Sequence, residues 1–452
     1  MLKFTLVLFL ISYFSLNSQN IFSPVSSGKA HATVATSKGL DAIFSNPASL
    51  DDKSDSSVFE LSVYNFGGKI GKTYLNSSEL NKIFGFSGSE TVDRSELAQL
   101  LEDEKLFLNI GINLITAKLS LGNNGTLGIN FGTRLYCRLR FDNQLVKLIE
   151  TSNIGIQDYL ITNKGVGGAW TREIGITYSK QFLNYNEFFS ELSFGITPKL
   201  IFGIASLELD ENSIISTNQI NVRGSSGYRI RGGFKFSASH PDNFNLSEEL
   251  SNFTTNFFSP SSGFGIGVNL GFQTVFIKTA NSKYKFGVEL QDLGKINWSN
   301  QVFKRSLVNL DDTITTGAIS NDKFKEYSGE LKTGGEFSTE LPTSIRLGFG
   351  AEFIKLNISF ITLDFESEFP LTKIGGVYSN PRFAIGSDIK IMDYLSLRNG
   401  FSFGGNDEFG IGFGIGLNPI SNLKFDIGSS SLNKFFTLKQ IDFSARLSYV
   451  IL

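Results

Sequence analysis

Between Phe409 and Leu417 the chain reads FGIGFGIGL, one residue apolar and the next glycine. Side chains alternate across a strand, so Phe409, Ile411, Phe413, Ile415 and Leu417 share one face and Gly410, Gly412, Gly414 and Gly416 share the other. A soluble antiparallel sheet hides its apolar face and shows polar side chains to water. Here the second face is bare, which suits the crowded interior of a barrel whose apolar face meets lipid. The chain ends on the same pattern. Phe443, Ala445, Leu447, Tyr449 and Ile451 oppose Asp442, Ser444, Arg446 and Ser448. A terminal strand of this kind closes a membrane barrel on its first strand, because an open edge in hydrocarbon leaves backbone donors and acceptors unpaired.

The two-residue period recurs at 106–114, 127–139, 192–202, 264–272, 345–353 and 395–403. Its phase changes near Ile115, which predicts a bulge. Short turns, at 122–125, 278–283, 392–394 and 418–422, alternate with longer links such as 71–105, 141–169, 207–262 and 294–342. Membrane barrels have short periplasmic turns and longer outer loops, so both termini are expected in the periplasm. The expected fold is all-β, a transmembrane antiparallel β-barrel of about 14 strands, or about 16 if a hairpin at 220–239 joins the wall. Two links are amphipathic and predict short loop helices. One, at 93–104, aligns Leu97, Leu100 and Leu101; the other, at 142–151, aligns Leu145, Leu148 and Ile149.

Residues 1–18 read as a secretory signal peptide, with a positive start at Met1-Leu2-Lys3, an apolar stretch at 4–14 and polar residues after it. That stretch is too short to span a bilayer, which takes ~20 residues. Cys137 is the only cysteine, so an exported chain without a disulfide framework points to a bacterial envelope. The 44 Phe, 46 Gly and only 9 Pro suit long strands. A net charge of −2 gives no support to a nucleic-acid partner. With His31 and His240 as the only histidines, a His-based metal cluster or a Ser-His hydrolase is not expected. The glycine runs sit in strands rather than at strand-to-helix junctions, so they are not phosphate loops. Neither enzymatic activity nor a cofactor is expected.

Residues 28–51 read GKAHATVATSKGLDAIFSNPASLD, and further segments follow in order: GFGIGVNLG at 263–271, FGVELQDLGKINW at 286–298, LPTSIRLGF at 341–349 and LSLRNGFSFGG at 395–405. Together they resemble the FadL-like superfamily of outer-membrane long-chain fatty-acid transporters and its PorV/PorQ-like relatives, with an uncharacterised Bacteroidota branch as a closer match. The resemblance implies a barrel of about fourteen strands, at 58–452, whose N-terminal segment, 19–57, folds inward as a hatch. It implies passage of small hydrophobic or amphiphilic molecules such as fatty acids. On the PorV-like side it implies docking of exported proteins beside a secretion machine. Gly267 or Asn269 stands where relatives often carry an acid, and Ser49 replaces a glycine; both departures weaken transfer of a specific substrate.

Several residues stand out as site candidates. Pro47 has no N–H to donate and restrains Asn46, so the pair is expected to turn the chain towards the first strand. Phe22, Ile43 and Phe44 suit a hydrophobic ligand pocket on the hatch, although hatch packing explains them equally well. Lumen positions carry Arg134, Arg138, Arg140, Arg346 and Arg398, with Glu60, Glu173, Glu191, Glu289 and Glu352. Buried charges are nearly always paired, so internal ion pairs are the first expectation. Arg134, Arg138 and Arg140 on one strand form the best candidate for a carboxylate-binding patch, since guanidinium matches carboxylate bidentately. Trp170, Tyr178, Phe182, Trp298 and Tyr449 lie near strand ends and suit interfacial girdles. The expected partners are outer-membrane lipid, a hydrophobic small-molecule ligand, and envelope or secretion-machine proteins.

Overall fold

A computed structural model of the chain describes residues 21–72, 105–140, 158–161, 167–183, 189–209, 213–222, 225–232, 235–241, 260–299, 302–306, 312–315, 332–333, 335–353, 360–372, 381–405, 409–420, 422–435 and 440–452. The expected signal at 1–18 and the two amphipathic links at 93–104 and 142–151 lie outside the described residues.

Fourteen strands form the wall: β1 Phe59–Lys72, β2 Lys105–Ser120, β3 Thr126–Arg140, β4 Gly167–Leu183, β5 Glu191–Leu209, β6 Gly263–Lys278, β7 Ser282–Trp298, β8 Ser344–Phe353, β9 Phe360–Pro370, β10 Arg382–Met392, β11 Leu395–Gly404, β12 Phe409–Ile420, β13 Leu423–Ser429 and β14 Gln440–Ile451. Each pairs antiparallel with its neighbours in sequence, and β1 pairs with both β2 and β14, so the sheet closes. Closure leaves the wall no free edge. The apolar stripes face outwards: Phe264, Ile266, Phe349, Ile385, Phe403 and Leu447 are all exposed. At the tight turn between β2 and β3, Gly122 and Gly125 take φ of 63° and 97°, a region that glycine enters without a Cβ penalty.

Among the bulges that reset which face a strand presents, two shape the lumen beside the inner segment. The first is the one expected near Ile115. The β2–β3 register shifts between Asn113 and Ile115, leaving Ile115 45% exposed and Asn113 buried. The second lies in β7. Val268 pairs with Leu293 and Leu270 with Leu290, so Asn269 alone opposes Gln291 and Asp292. Asp292 takes φ of 54°, the left-handed conformation that asparagine and aspartate tolerate best. Before this bulge the odd residues Lys285 and Glu289 are buried; after it the even residues Ile296 and Trp298 are.

The hairpin read at 220–239 is only partly as expected. Strands Ser213–Val222 and Ser225–Gly232 pair with each other, but in a separate four-stranded sheet with Asp158–Ile161 and Asp312–Thr315. Lys235–Ser239 instead continues the wall sheet beyond β5 by pairing with its last residues and with Val302–Ser306. The wall therefore keeps fourteen strands, not sixteen.

Residues 21–57 run inside the barrel, and nearly every residue from 21 to 52 is buried. Helical turns α1 Pro24–Gly28 and α2 Leu40–Phe44 and a 3-10 turn at Pro47–Asp51 give this inner segment its shape. Ser23 caps α1 by accepting from the Ser26 N–H, with Pro24 at the first helical position. Asn46 caps the 3-10 turn in the same way, accepting from the Ala48 N–H ahead of Pro47. Ala30 and His31 both take positive φ, 50° and 65°. Such backbone persists only where its surroundings hold it. Arg382 donates to the Ala30 carbonyl, and Arg346 and Arg382 donate to that of His31.

Candidate functional site

The bare glycine face of the strands is the footprint of the inner segment. A Cβ on Gly412 would lie 2.5 Å from the Ala30 nitrogen, and one on Gly428 would lie 2.1 Å from the Pro24 carbonyl oxygen. Across the barrel, a Cβ on Gly287 would lie 2.4 Å from the Val34 carbonyl, and one on Gly195 would lie 2.2 Å from the Pro47 carbonyl carbon. Backbone rests directly on backbone, and any side chain there would push the segment off the wall.

Where the wall carries charged side chains against the inner segment, they sit in ion pairs. Glu366 on β9 accepts from the N–H groups of Thr33 (2.8 Å) and Val34 (3.0 Å). Its other oxygen accepts from Arg346 Nε (2.9 Å) and Arg382 Nη2 (3.1 Å). Arg346 also donates to Glu289 (2.8 Å) and to the Ser45 carbonyl (3.3 Å). Asp41 of the inner segment takes both terminal nitrogens of Arg446, at 2.9 and 2.5 Å. Arg446 and Arg398 share Asp426, and Arg398 also reaches Asp388 at 3.0 Å. Lys29 pairs with Asp364, which also accepts from Thr36. Arg346 and Arg398 thus sit in ion pairs that tie the segment and the wall together.

At the end of the barrel bearing the short turns, acids of the inner segment meet the wall again. Asp51 accepts from Thr126 (2.6 Å) and from the Gln181 N–H (2.9 Å). Lys285 lies 2.7 Å from Asp52 and 2.9 Å from Glu352. Burial works to raise the Asp52 carboxyl, but Lys285 and Lys38 beside it hold it well below the usual carboxylate range. Burial acts on the His31 imidazole in the direction opposite to its action on a carboxyl. Burial first, then Arg382, Lys69 and Arg346, hold its imidazole well below its usual value, so it is neutral. Its Nδ1 lies 3.3 Å from Ser26 Oγ, and its Nε2 is buried with no hydrogen-bond partner among the described residues.

A cavity of about 30 Å³ remains beside the inner segment. Ile21, Phe22, Ile43 and Phe44 form its inner side, with the rings of Phe22 and Phe44 5.7 Å apart. The wall side carries Arg134, Glu173, Lys199 and Asp292 and the amides of Asn113 and Gln291. Lys199 lies 2.5 Å from Asp292 and 3.9 Å from Glu173. Arg134 lies 3.6 Å from Asp292 and donates to Asn109 at 3.0 Å. The Asp292 N–H donates to Asn269, fixing the bulge.

The structure thus gathers Phe22, Ile43, Phe44, Arg134 and Glu173 around one cavity. Asn46 and Pro47 sit apart from it, against Gly271 and Gly195; Asn46 donates to the carbonyls of Val34 and Phe272 and acts as an anchor. Arg138 is buried, and the side chain of Arg140 lies outside the described residues. Sequence reasoning missed Lys199, Asp292, Asn113 and Gln291. The signal for Gln291 and Asp292 was two consecutive polar residues in an otherwise alternating strand.

Above the charged cluster, Trp298, Ile296, Ile201, Ala169 and Leu341 form an apolar core against which Tyr136 and Phe337 are packed. Trp298 stacks on Phe337 at 6.1 Å and donates to Thr339 at 2.9 Å. Arg134 lies over the Tyr136 ring, 5.7 Å from its centroid. Here the girdle expectation needs correction. Tyr178, Phe182 and Tyr449 are exposed, but Trp170 and Trp298 are 3% and 0% exposed. The β7 bulge turns Trp298 to the buried face, and the Trp170 indole N–H is satisfied by Thr133 at 2.8 Å.

Among solved structures, the toluene transporter TbuX of Ralstonia pickettii is similar at 10% identity, covering 96% of this chain and 100% of that one, with a TM-score of 0.45. The monoaromatic hydrocarbon channel CymD is similar at 12% identity, covering 97% and 99%, with a TM-score of 0.44. A FadL homologue of Pseudomonas aeruginosa is similar at 10% identity, covering 97% and 99%, with a TM-score of 0.41. No curated protein sequence matches the chain. Residues 53–430 match the model of a family of unknown function, DUF5723, and the chain belongs to that family.

Proposed function

We propose that this protein is a bacterial outer-membrane barrel through which small hydrophobic or amphiphilic molecules pass. In this reading residues 1–18 are an export signal, 19–57 a hatch and 58–452 the barrel, with both termini in the periplasm. The supporting observation is the cavity where apolar Phe22, Ile43 and Phe44 of the hatch face a polar wall, inside a lumen that the chain itself fills. The exposed apolar face of the strands suits lipid. A space of about 30 Å³ takes a water or a small head group and no hydrocarbon chain. Passage therefore requires Phe22 and Phe44, or the hatch around them, to move. A molecule arriving from the long-loop end would meet the Trp298–Phe337 core first, then the Arg134–Asp292 cluster, then the hatch.

The competing reading is a docking component for envelope or secretion-machine proteins. One observation favours it: parts of three long links assemble a four-stranded sheet, a structured surface that passage does not require. Uptake of a labelled medium-chain hydrophobic probe in a deletion strain separates the two. Passage predicts a severalfold fall, restored by the wild-type gene. Unchanged uptake, with an envelope protein recovered in stoichiometric complex with the solubilised barrel, would overturn passage in favour of docking.

A further inference from the structure

We infer that the cavity beside Phe22 and Phe44 receives the uncharged hydrogen-bonding head of an apolar molecule, an alcohol or a primary amide, in preference to a carboxylate. The inference rests on the proposed passage of hydrophobic molecules and names the head group they carry.

The argument starts from charge. A carboxylate taken out of water needs a cation of its own. The cavity has two cations, Arg134 and Lys199, and two anions, Glu173 and Asp292. Lys199 is held at 2.5 Å by Asp292 and lies 3.9 Å from Glu173. Arg134 is shared between Asp292 and Asn109. Among the described residues the cluster is neutral, and an added anion would face Glu173 and Asp292 with no unshared cation of that set to meet it.

Two residues of the lining carry amide groups that are differently placed. Asn113 Nδ2, a donor, and Gln291 Oε1, an acceptor, are buried with no hydrogen-bond partner among the described residues. Their residues are 1% and 4% exposed, and both line this cavity. Buried polar groups are nearly always satisfied, so a donor and an acceptor left over on one cavity call for a group that accepts and donates at once. A hydroxyl or a primary amide does both. A carboxylate only accepts, so it satisfies Asn113 and turns its charge on the Gln291 carbonyl. The apolar side of the cavity gives the tail its direction, along Ile21, Phe22, Ile43 and Phe44.

The test uses the full chain in lipid nanodiscs at pH 8, with labelled 1-octanol, octanamide and octanoate, and equilibrium dialysis against empty nanodiscs. Octanol and octanamide should bind roughly tenfold more tightly than octanoate, the scale of one buried amide left unpaired. The double substitution Asn113→Leu with Gln291→Leu should weaken octanol and octanamide severalfold and narrow that preference, leaving only what Glu173 and Asp292 impose on the octanoate charge. Heat-modifiable migration on gels checks that the variant barrel is folded. If it is not, the ranking of the three compounds on the wild-type chain decides alone. Octanoate binding as tightly as octanol overturns the head-group inference and leaves passage standing. No saturable binding of any of the three, together with unchanged uptake in the deletion strain, overturns both.

Discussion

The two halves of the inner segment are held by different physics. Residues 24–38 lie against β7 to β14 and, besides resting on wall glycines, are held by charge: Glu366 grips two backbone N–H groups, Asp364 grips Lys29, and Arg382 grips the Ala30 carbonyl. Residues 42–50 lie against β3 to β6 and are held by fit: Ile43 and Leu50 on Gly128, Pro47 and Ala48 on Gly195, Asn46 on Gly271. The cavity borders the second half and the start of the segment, and none of its lining comes from 24–38. Ion pairs in a low-dielectric interior are stiff and costly to break singly. Contacts by shape yield by small displacements when space lies beside them. The difference makes the first half the fixed end of the segment and the second half the part able to move.

Removing the central carboxylate gives the largest expected effect on this contrast. Glu366→Ala leaves the N–H groups of Thr33 and Val34 without their acceptor and takes a shared partner from Arg346 and Arg382. Breaking a buried ionic network by one partner costs ~3–5 kcal/mol. Trypsin cleavage after Lys29 in the folded barrel tracks the released population, so it should rise on the order of a hundredfold or more. Asn46→Ala, in the second half, removes two side-chain donors and a cap and should cost about 1–3 kcal/mol. Equal cleavage rates in the two variants would erase the proposed distinction between the halves.

Much of this was legible in the sequence because a barrel wall is governed by a period of two. Alternation at 409–417 and 441–451 gave the exposed apolar face and the closing strand, and the phase change at Ile115 gave the first bulge. The bare glycine face signalled a crowded lumen, and the backbone of 24–50 is what crowds it. The second bulge was harder, because it depends on one aspartate adopting a left-handed φ, and Trp298 was therefore assigned to the wrong face. The charge pairs were hidden for another reason. Arg134 and Asp292, or Asp41 and Arg446, meet only once strands distant in sequence have closed, so single-strand patterns give the charges without their partners. The hairpin expected at 220–239 was readable as strands, but nothing local distinguishes wall from a separate sheet.

Adding one methyl group to each half sharpens the comparison. In Gly412→Ala the new Cβ meets the Ala30 nitrogen at 2.5 Å and the Gly28 carbonyl at 2.9 Å, backbone atoms in the charge-held half. Overpacking of this kind costs ~1–3 kcal/mol. In Gly128→Ala the nearest atoms are the side-chain ends of Ile43 and Leu50, both at 3.0 Å, and Ile43 borders the cavity. Those ends can shift, and the cost should stay below about 1 kcal/mol. The same trypsin assay reads both. A Gly128→Ala barrel cleaved as fast as Gly412→Ala would mean that the second half has no more give than the first.

The smallest effect separates the halves by pH. His31, in the charge-held half, is neutral when folded, because burial and then Arg382, Lys69 and Arg346 disfavour its proton. The released segment would take that proton below about pH 6.5. The released state then binds more protons than the packed one, so the packed state loses stability as pH falls below that value, until the folded imidazole also titrates. The change is bounded by one proton, about 1.4 kcal/mol per pH unit. Asp52 has the opposite shift with respect to its charged form. Its folded carboxyl is depressed, so its contribution is complete above about pH 3.9 and is lost only as pH falls from there towards the folded value. Hydrogen exchange of amides 24–38, corrected for intrinsic rate, should therefore quicken between pH 7 and 5.5 while the Asp52 anchor still holds. His31→Asn, which keeps a residue tolerant of the left-handed φ at this position, should flatten that slope. A wild-type profile already flat over this range would remove His31 from the account and leave the carboxylate anchors as the only acid-sensitive hold on the segment.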